Sequence, residues 1–200
     1  SRFGNECVDS DLDPVIKFDL DGNVVESFGG GLFIWPHGID VDPDGNIWVT
    51  DAVGSNNIPD GDQRGHLVYK FGPTGEVLLR LGTPGRAGSG RDAFNSPSDV
   101  VVADNGDVFI ADGHNATGNN RVMKFTSDGE YIMEWGQTGY APGEFRALHA
   151  IEMDSRGRIF VGDRSNNRVQ IFDQEGAHLA TWTQFGRPSG IAFDTNGQIY

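Results

Sequence analysis

Trp35-Pro36-His37-Gly38-Ile39-Asp40-Val41-Asp42-Pro43-Asp44-Gly45-Asn46-Ile47-Trp48-Val49-Thr50-Asp51 returns three more times along the chain in altered form. The second copy runs from Ser96-Pro97-Ser98-Asp99-Val100 to Phe109-Ile110-Ala111-Asp112, and the third from Ala147-Leu148-His149-Ala150-Ile151 to Phe160-Val161-Gly162-Asp163. A fourth opens at Arg187-Pro188-Ser189-Gly190-Ile191 and reaches Tyr200. His37 to Asp51, Ser98 to Asp112 and His149 to Asp163 each span 14 positions, so the copies align residue by residue.

A second element follows each copy: Leu67-Val68-Tyr69-Lys70-Phe71-Gly72, then Arg121-Val122-Met123-Lys124-Phe125-Thr126, then Arg168-Val169-Gln170-Ile171-Phe172-Asp173. The chain opens on one of its own, Val15-Ile16-Lys17-Phe18-Asp19-Leu20-Asp21-Gly22. Short alternating runs of β-branched and aromatic residues, each broken by an Asp/Asn-x-Gly turn, predict four antiparallel strands per unit. Repeats of about 40 to 60 residues that cannot bury both faces alone are the signature of a β-propeller. The expected fold is therefore all-β, one propeller domain over residues 1–200, incomplete at both ends, with a half unit, three full units and a half unit making about four blades.

Composition narrows the function classes. With a net charge of -14 and only three lysines, the chain lacks the clustered cations that phosphate neutralisation requires, so no nucleic-acid partner is expected. No apolar run approaches the roughly 20 residues of a membrane span. Part of the acidity sits in turns such as Asp42-Pro43-Asp44-Gly45, and the rest suits a saline or extracellular setting; an extracellular or periplasmic location is expected. The single cysteine, Cys7, leaves no Cys-based metal cluster and no internal disulfide.

The chemistry lies in what varies between copies. At the position after Pro or Leu the copies hold His37, Ser98, His149 and Ser189. In a six-bladed ring, histidines two blades apart stand about 120 degrees apart around the axis, and a third in a missing blade would complete three imidazoles with an open position, the set a catalytic zinc wants. The plainer reading is that each histidine hydrogen-bonds a neighbouring strand end. Carbonyls just after each histidine fall near the axis, where a hard cation such as calcium fits. Asp51, Asp112 and Asp163 occur in every full unit and read as architectural caps accepting backbone N–H groups. The next position holds Ala52, Gly113 or Arg164; Arg164 suits either a bidentate carboxylate contact or a rim salt bridge. His114, on the same rim, suits an acid/base group, a fourth metal contact or a simple loop residue. The long insertions 53–66, 83–95 and 137–146 read equally as functional rims or tolerated surface loops.

The strand pairs with their Val-x-Lys-Phe endings resemble NHL repeats over nearly the whole chain. The ordered run Pro36-His37-Gly38, Trp48-Val49-Thr50-Asp51, Ser96-Pro97-Ser98-Asp99-Val100, Ala111-Asp112-Gly113, Glu134-Trp135-Gly136, Pro142-Gly143-Glu144-Phe145, His149 and Asp163-Arg164 resembles the peptidyl-α-hydroxyglycine α-amidating lyases of peptide C-terminal amidation. The resemblance implies a six-bladed ring and a secreted, zinc-dependent lyase with a structural calcium. It makes His37 and His149 zinc ligands, the Ile39 carbonyl a calcium ligand, and Arg164 and Arg2 active-site arginines. It puts His114 where the family has a tyrosine, the third zinc histidine outside these residues, and the family's disulfide cysteines are missing. The implied substrate is a small peptide or N-acyl α-hydroxyglycine, cleaved to an amide and glyoxylate. The competing readings are a non-enzymatic NHL propeller that serves as a ligand- or protein-binding platform, and a lactone-hydrolysing propeller with inward-facing acids.

Overall fold

A computed structural model describes residues 7–115 and 117–200. Arg2 lies outside the described residues. Two strands, β1 (Val15–Phe18) and β2 (Val24–Phe28), pair antiparallel at the start. Three four-stranded antiparallel sheets follow, each in simple sequential order. The first holds β3 (Pro36–Val41), β4 (Ile47–Asp51), β5 (Val68–Phe71) and β6 (Val77–Leu81). The second holds β7 (Pro97–Val102), β8 (Val108–Asp112), β9 (Arg121–Phe125) and β10 (Tyr131–Trp135). The third holds β11 (Leu148–Met153), β12 (Ile159–Asp163), β13 (Arg168–Phe172) and β14 (His178–Trp182). A lone antiparallel bridge, Phe193 to Ile199, begins a further blade. The result is an arc of about four propeller blades. Among the described residues, helix is limited to the 3-10 turns Ser55–Asn57 and Arg164–Asn166, and no helix is long and apolar enough to cross a membrane.

The period of two in the second strand of each blade builds the core, because alternate residues leave opposite faces. Val108 and Ile110 of β8 pack with Trp48 and Val68 of the preceding blade, whereas Phe109 and Ala111 pack with Ile151, Ile159 and Phe172 of the following one. A strand buried on both faces is apolar throughout, and Val108, Phe109, Ile110 and Ala111 are all fully covered. Val108, Phe109 and Ile110 each contribute about 1.5–3 kcal/mol on burial, and Ala111 less.

The first strands of the sheets, β3, β7 and β11, lie side by side as the innermost layer. Their backbones meet so closely that a Cβ on Gly38 would lie 2.5 Å from Asp99 Cα and 2.7 Å from Ser98 O. Carboxylates stitch the layer: Asp40 Oδ2 accepts the Val102 N–H at 2.7 Å, and Asp99 Oδ2 accepts the Ile151 N–H at 2.9 Å.

Asp51, Asp112 and Asp163 are fully buried and accept backbone N–H groups from Ile34 and Trp35, from Asn95, and from Arg146 respectively. Beside them three arginines hold the insertions in place. Arg121 bonds Asp112 at 3.0 Å and reaches the carbonyls of Ser89, Gly90 and Ala93 in the 83–95 segment. Arg168 does the same from Asp163 to Tyr140, Ala141 and Glu144. In the first full blade Arg64, inside the 53–66 insertion itself, ties Asp62 to the carbonyls of Cys7, Val8 and Phe33. These insertions are braced parts of the architecture.

Candidate metal site

His37 stands near the start of β3 and His149 near the start of β11, the same place on two inner strands. His37 Nδ1 lies 2.7 Å from the carbonyl oxygen of Ser98, and His149 Nδ1 lies 2.9 Å from that of Ser189. A carbonyl only accepts, so each Nδ1 carries the proton and each Nε2 keeps its lone pair. The neighbouring-strand bond expected of a structural histidine is therefore what turns a metal-ready nitrogen outward.

The Ser98 carbonyl is also the partner of Thr50 Oγ, at 3.2 Å, and Thr50 Oγ accepts the Gly38 N–H at 2.8 Å. Thr50 is fully buried, so this three-strand node fixes His37 against the β7 backbone.

The third imidazole arrives by another route. In the blade between, Ser98 occupies the histidine position, is fully buried, and turns its hydroxyl onto Ala111 O at 3.2 Å. The space is taken by His114, two residues beyond β8, whose N–H donates to Ser96 O at 2.9 Å. Gly113 makes that approach possible: its φ is 143°, and a Cβ there would lie 2.6 Å from Asn120 N. His114 Nε2 lies 3.1 Å from His149 Nε2. Ring centroids are 4.6 Å apart for His37 and His114, 4.7 Å for His114 and His149, and 4.9 Å for His37 and His149. One nitrogen from each of the three rings lies within 4.8 Å of the other two, a grouping able to hold a metal ion. Nitrogens about 2.0–2.1 Å from a tetrahedral zinc are roughly 3.3 Å apart, so the rings need close only slightly.

Electrostatics favour a neutral, ligating triplet. Burial lowers all three pKa values; for His114, burial, both other histidines and Arg164 together push it down to about 3. Arg164, in the 3-10 turn after β12, donates from Nε to Ser189 Oγ at 3.2 Å and is close enough for its charge to depress His114 and His149. Trp35 lies edge-on to both His37, at 5.1 Å, and His114, at 4.7 Å, and forms an apolar wall that sequence reading did not single out.

Farther along the inner strands the same layer carries acids. Asp40, Asp99 and Glu152 have raised pKa values, chiefly from burial and partly from one another or from Asp42; Asp99 is pushed up to about 7. Asp40 and Glu152 line a cavity of about 450 Å³ with Val101 and Met153. Inner histidines and inner acids coexist on these strands, where sequence reading had set one against the other. Ile39, expected to offer its carbonyl to calcium, pairs with Val49 and is 56% exposed.

The NHL repeat model matches residues 33–58, 94–125 and 145–172. Peptidyl-glycine alpha-amidating monooxygenase B of Xenopus laevis is 39% identical over 150 residues, which is 72% of this chain and 16% of that protein. Peptidyl-alpha-hydroxyglycine alpha-amidating lyase 1 of Drosophila melanogaster is 37% identical over 157 residues, 72% of this chain and 26% of that protein. NHL repeat-containing protein 3 of Homo sapiens is 36% identical over 123 residues, 60% of this chain and 33% of that protein. The chain thus spans at most a third of the length of these relatives. Among solved structures, virginiamycin B lyase from Staphylococcus aureus superposes with a TM-score of 0.56 at 17% identity, covering 82% of this chain and 47% of that one, a likeness of fold alone. The chain is an NHL-repeat β-propeller whose sequence resembles the peptidyl-alpha-hydroxyglycine alpha-amidating lyases.

Proposed function

We propose that this chain carries part of the active site of a zinc-dependent carbon–nitrogen lyase that cleaves peptidyl or N-acyl α-hydroxyglycine to an amide and glyoxylate. The observation that carries the reading is the pair His37 and His149, each with Nδ1 committed to a neighbouring carbonyl and Nε2 available, in a chain similar to named amidating lyases. In the reaction the α-hydroxyl loses its proton, its oxygen becomes the aldehyde oxygen of glyoxylate, and the C–N electron pair leaves on nitrogen, which takes up a proton to become the amide. Bound zinc would act as a Lewis acid toward the α-hydroxyl. His37 and His149 hold it; Arg164 binds the substrate carboxylate, with Arg2 as a second arginine; Trp35 excludes water from one side. Calcium is proposed at the Ile39 carbonyl as a structural ion, and the acidic groups Asp40, Asp99 and Glu152 on the same strands suit a hard cation nearby. The setting proposed is extracellular or periplasmic.

The test is glyoxylate release from an N-acyl α-hydroxyglycine by the zinc-loaded intact protein. His149→Ala should abolish turnover by removing a ligand, while Arg164→Ala should raise KM and lower kcat/KM. The second reading is a ligand- or protein-binding platform without catalysis; the similarity to human NHL repeat-containing protein 3, whose name carries no reaction, leaves room for it. No glyoxylate above the uncatalysed background would select it.

A further inference from the structure

We infer that His114 is itself a metal ligand through Nε2, and that it exchanges a hydrogen bond for that role when the metal binds. The inference rests on the metal part of the preceding reading and is independent of the reaction proposed there. His149 Nε2 bears a lone pair, because its Nδ1–H is committed to Ser189 O. Two lone pairs 3.1 Å apart repel, so without a cation His114 must carry its proton on Nε2 and donate it to His149. In that state His114 closes the site by occupying the lone pair a metal needs. With a cation present, the same ring moves its proton to Nδ1 and turns Nε2 into the third donor beside His37 and His149.

The supports for His114 are independent of the supports for the other two. Its backbone is held by Ser96 O, Gly113 provides the approach, and the fully buried Ser98 vacates the space on the inner strand. A face of three neutral imidazoles selects a borderline divalent ion such as zinc or cobalt over calcium, which takes oxygen donors. The exchange needs no net proton uptake or release by the rings.

The experiment uses the intact protein, stripped with a chelator and titrated with cobalt(II) as the optical stand-in for zinc. Wild type should bind one cobalt at the three rings with the visible bands of a four-coordinate site that has three nitrogen donors and one open position. His114→Cys should keep the site and add a thiolate-to-cobalt charge-transfer band that wild type lacks, Cys7 serving as the internal control. His114→Gln should lose affinity by 100-fold or more, beyond the 10–100-fold typical of a residue that only orients a ligand. Nitrogen-15 spectra of wild type should show the His114 proton on Nε2 in the stripped protein and on Nδ1 in the zinc form, a reading that needs no variant. Cobalt bound to His114→Cys with wild-type affinity and no charge-transfer band would overturn the inference, as would a wild type that takes up no cobalt or keeps the Nε2 proton when zinc-loaded. If His114 ligates and no glyoxylate forms, the lyase reading falls and this one stands. If glyoxylate forms while His114→Gln leaves the cobalt spectrum unchanged, the reverse holds.

Discussion

Gly38→Ala tests the claim that the close contact of β3 with β7 is what aims His37. A Cβ at position 38 would lie 2.5 Å from Asp99 Cα and 2.4 Å from Asp99 Oδ1, where an ordinary contact begins near 3.4 Å. The obstructing atoms include backbone of a central strand, so relief has to come from β3 retreating by about 0.9 Å at that point. The same retreat stretches His37 Nδ1 to Ser98 O from 2.7 Å to about 3.6 Å, beyond hydrogen-bond range. Overpacking costs about 1–3 kcal/mol and the lost bond about 1 kcal/mol, giving a destabilisation of about 2–4 kcal/mol. For a chain of this size that lowers Tm by about 5–15 °C. His37, released from its carbonyl, should bind metal about 10–100-fold more weakly. A denaturant or thermal melt reads the first effect and a cobalt(II) titration the second. Wild-type stability and wild-type affinity together would refute the close-contact argument; lowered stability with unchanged affinity would refute the claim that the Ser98 carbonyl positions His37.

Gly113→Ala should push the 113–114 backbone away from Asn120 N, now 2.6 Å from where the Cβ would be built, and so weaken cobalt binding more than it lowers Tm; a loss confined to Tm would speak against it. Arg121→Ala strands the fully buried Asp112 and should cost about 3–5 kcal/mol in a denaturant melt, and Arg121→Lys should recover little, since one ammonium cannot replace bonds to Asp112, Glu134 and three carbonyls. His66, fully buried with its pKa lowered to about 4, stays neutral in the fold while the unfolded chain protonates near 6.5. Its contribution is complete above pH 6.5 and is lost as pH falls toward 4, to a limit of about 3 kcal/mol. His66→Asn, the residue found at the matching left-handed positions 120 and 167, should flatten the stability profile in that window relative to wild type; parallel profiles would contradict the assignment.

How far the site could be read from the sequence depended on whether a residue obeyed the repeat. His37, His149 and the three buried aspartates share one register, and a 14-residue spacing is enough to place them on equivalent strand ends, because a propeller converts equal register into equal position around an axis. Turn chemistry was legible for the same reason: Asp42 Oδ1 accepts the N–H groups of Asp44 and Asn46, a local motif that needs no tertiary partner. Arg121 and Arg168 also share a register, at the head of the third strand, but their targets are carbonyls in insertions of unequal length, which no spacing rule connects. His114 was legible only in part. Its place on the rim was readable, yet its convergence on the other two rings follows from a subtraction, Ser98 at a histidine position, together with a glycine that allows the next residue inward. Repeat comparison detects what recurs, whereas a site assembled from two repeats and one exception is visible only where the exception fills the space that the repeat left open. A Ser in the ligand register followed 15 and 16 positions later by Gly and His, where the other full blades have Ala-Val and Arg-Ser, is the signal to look for in related chains.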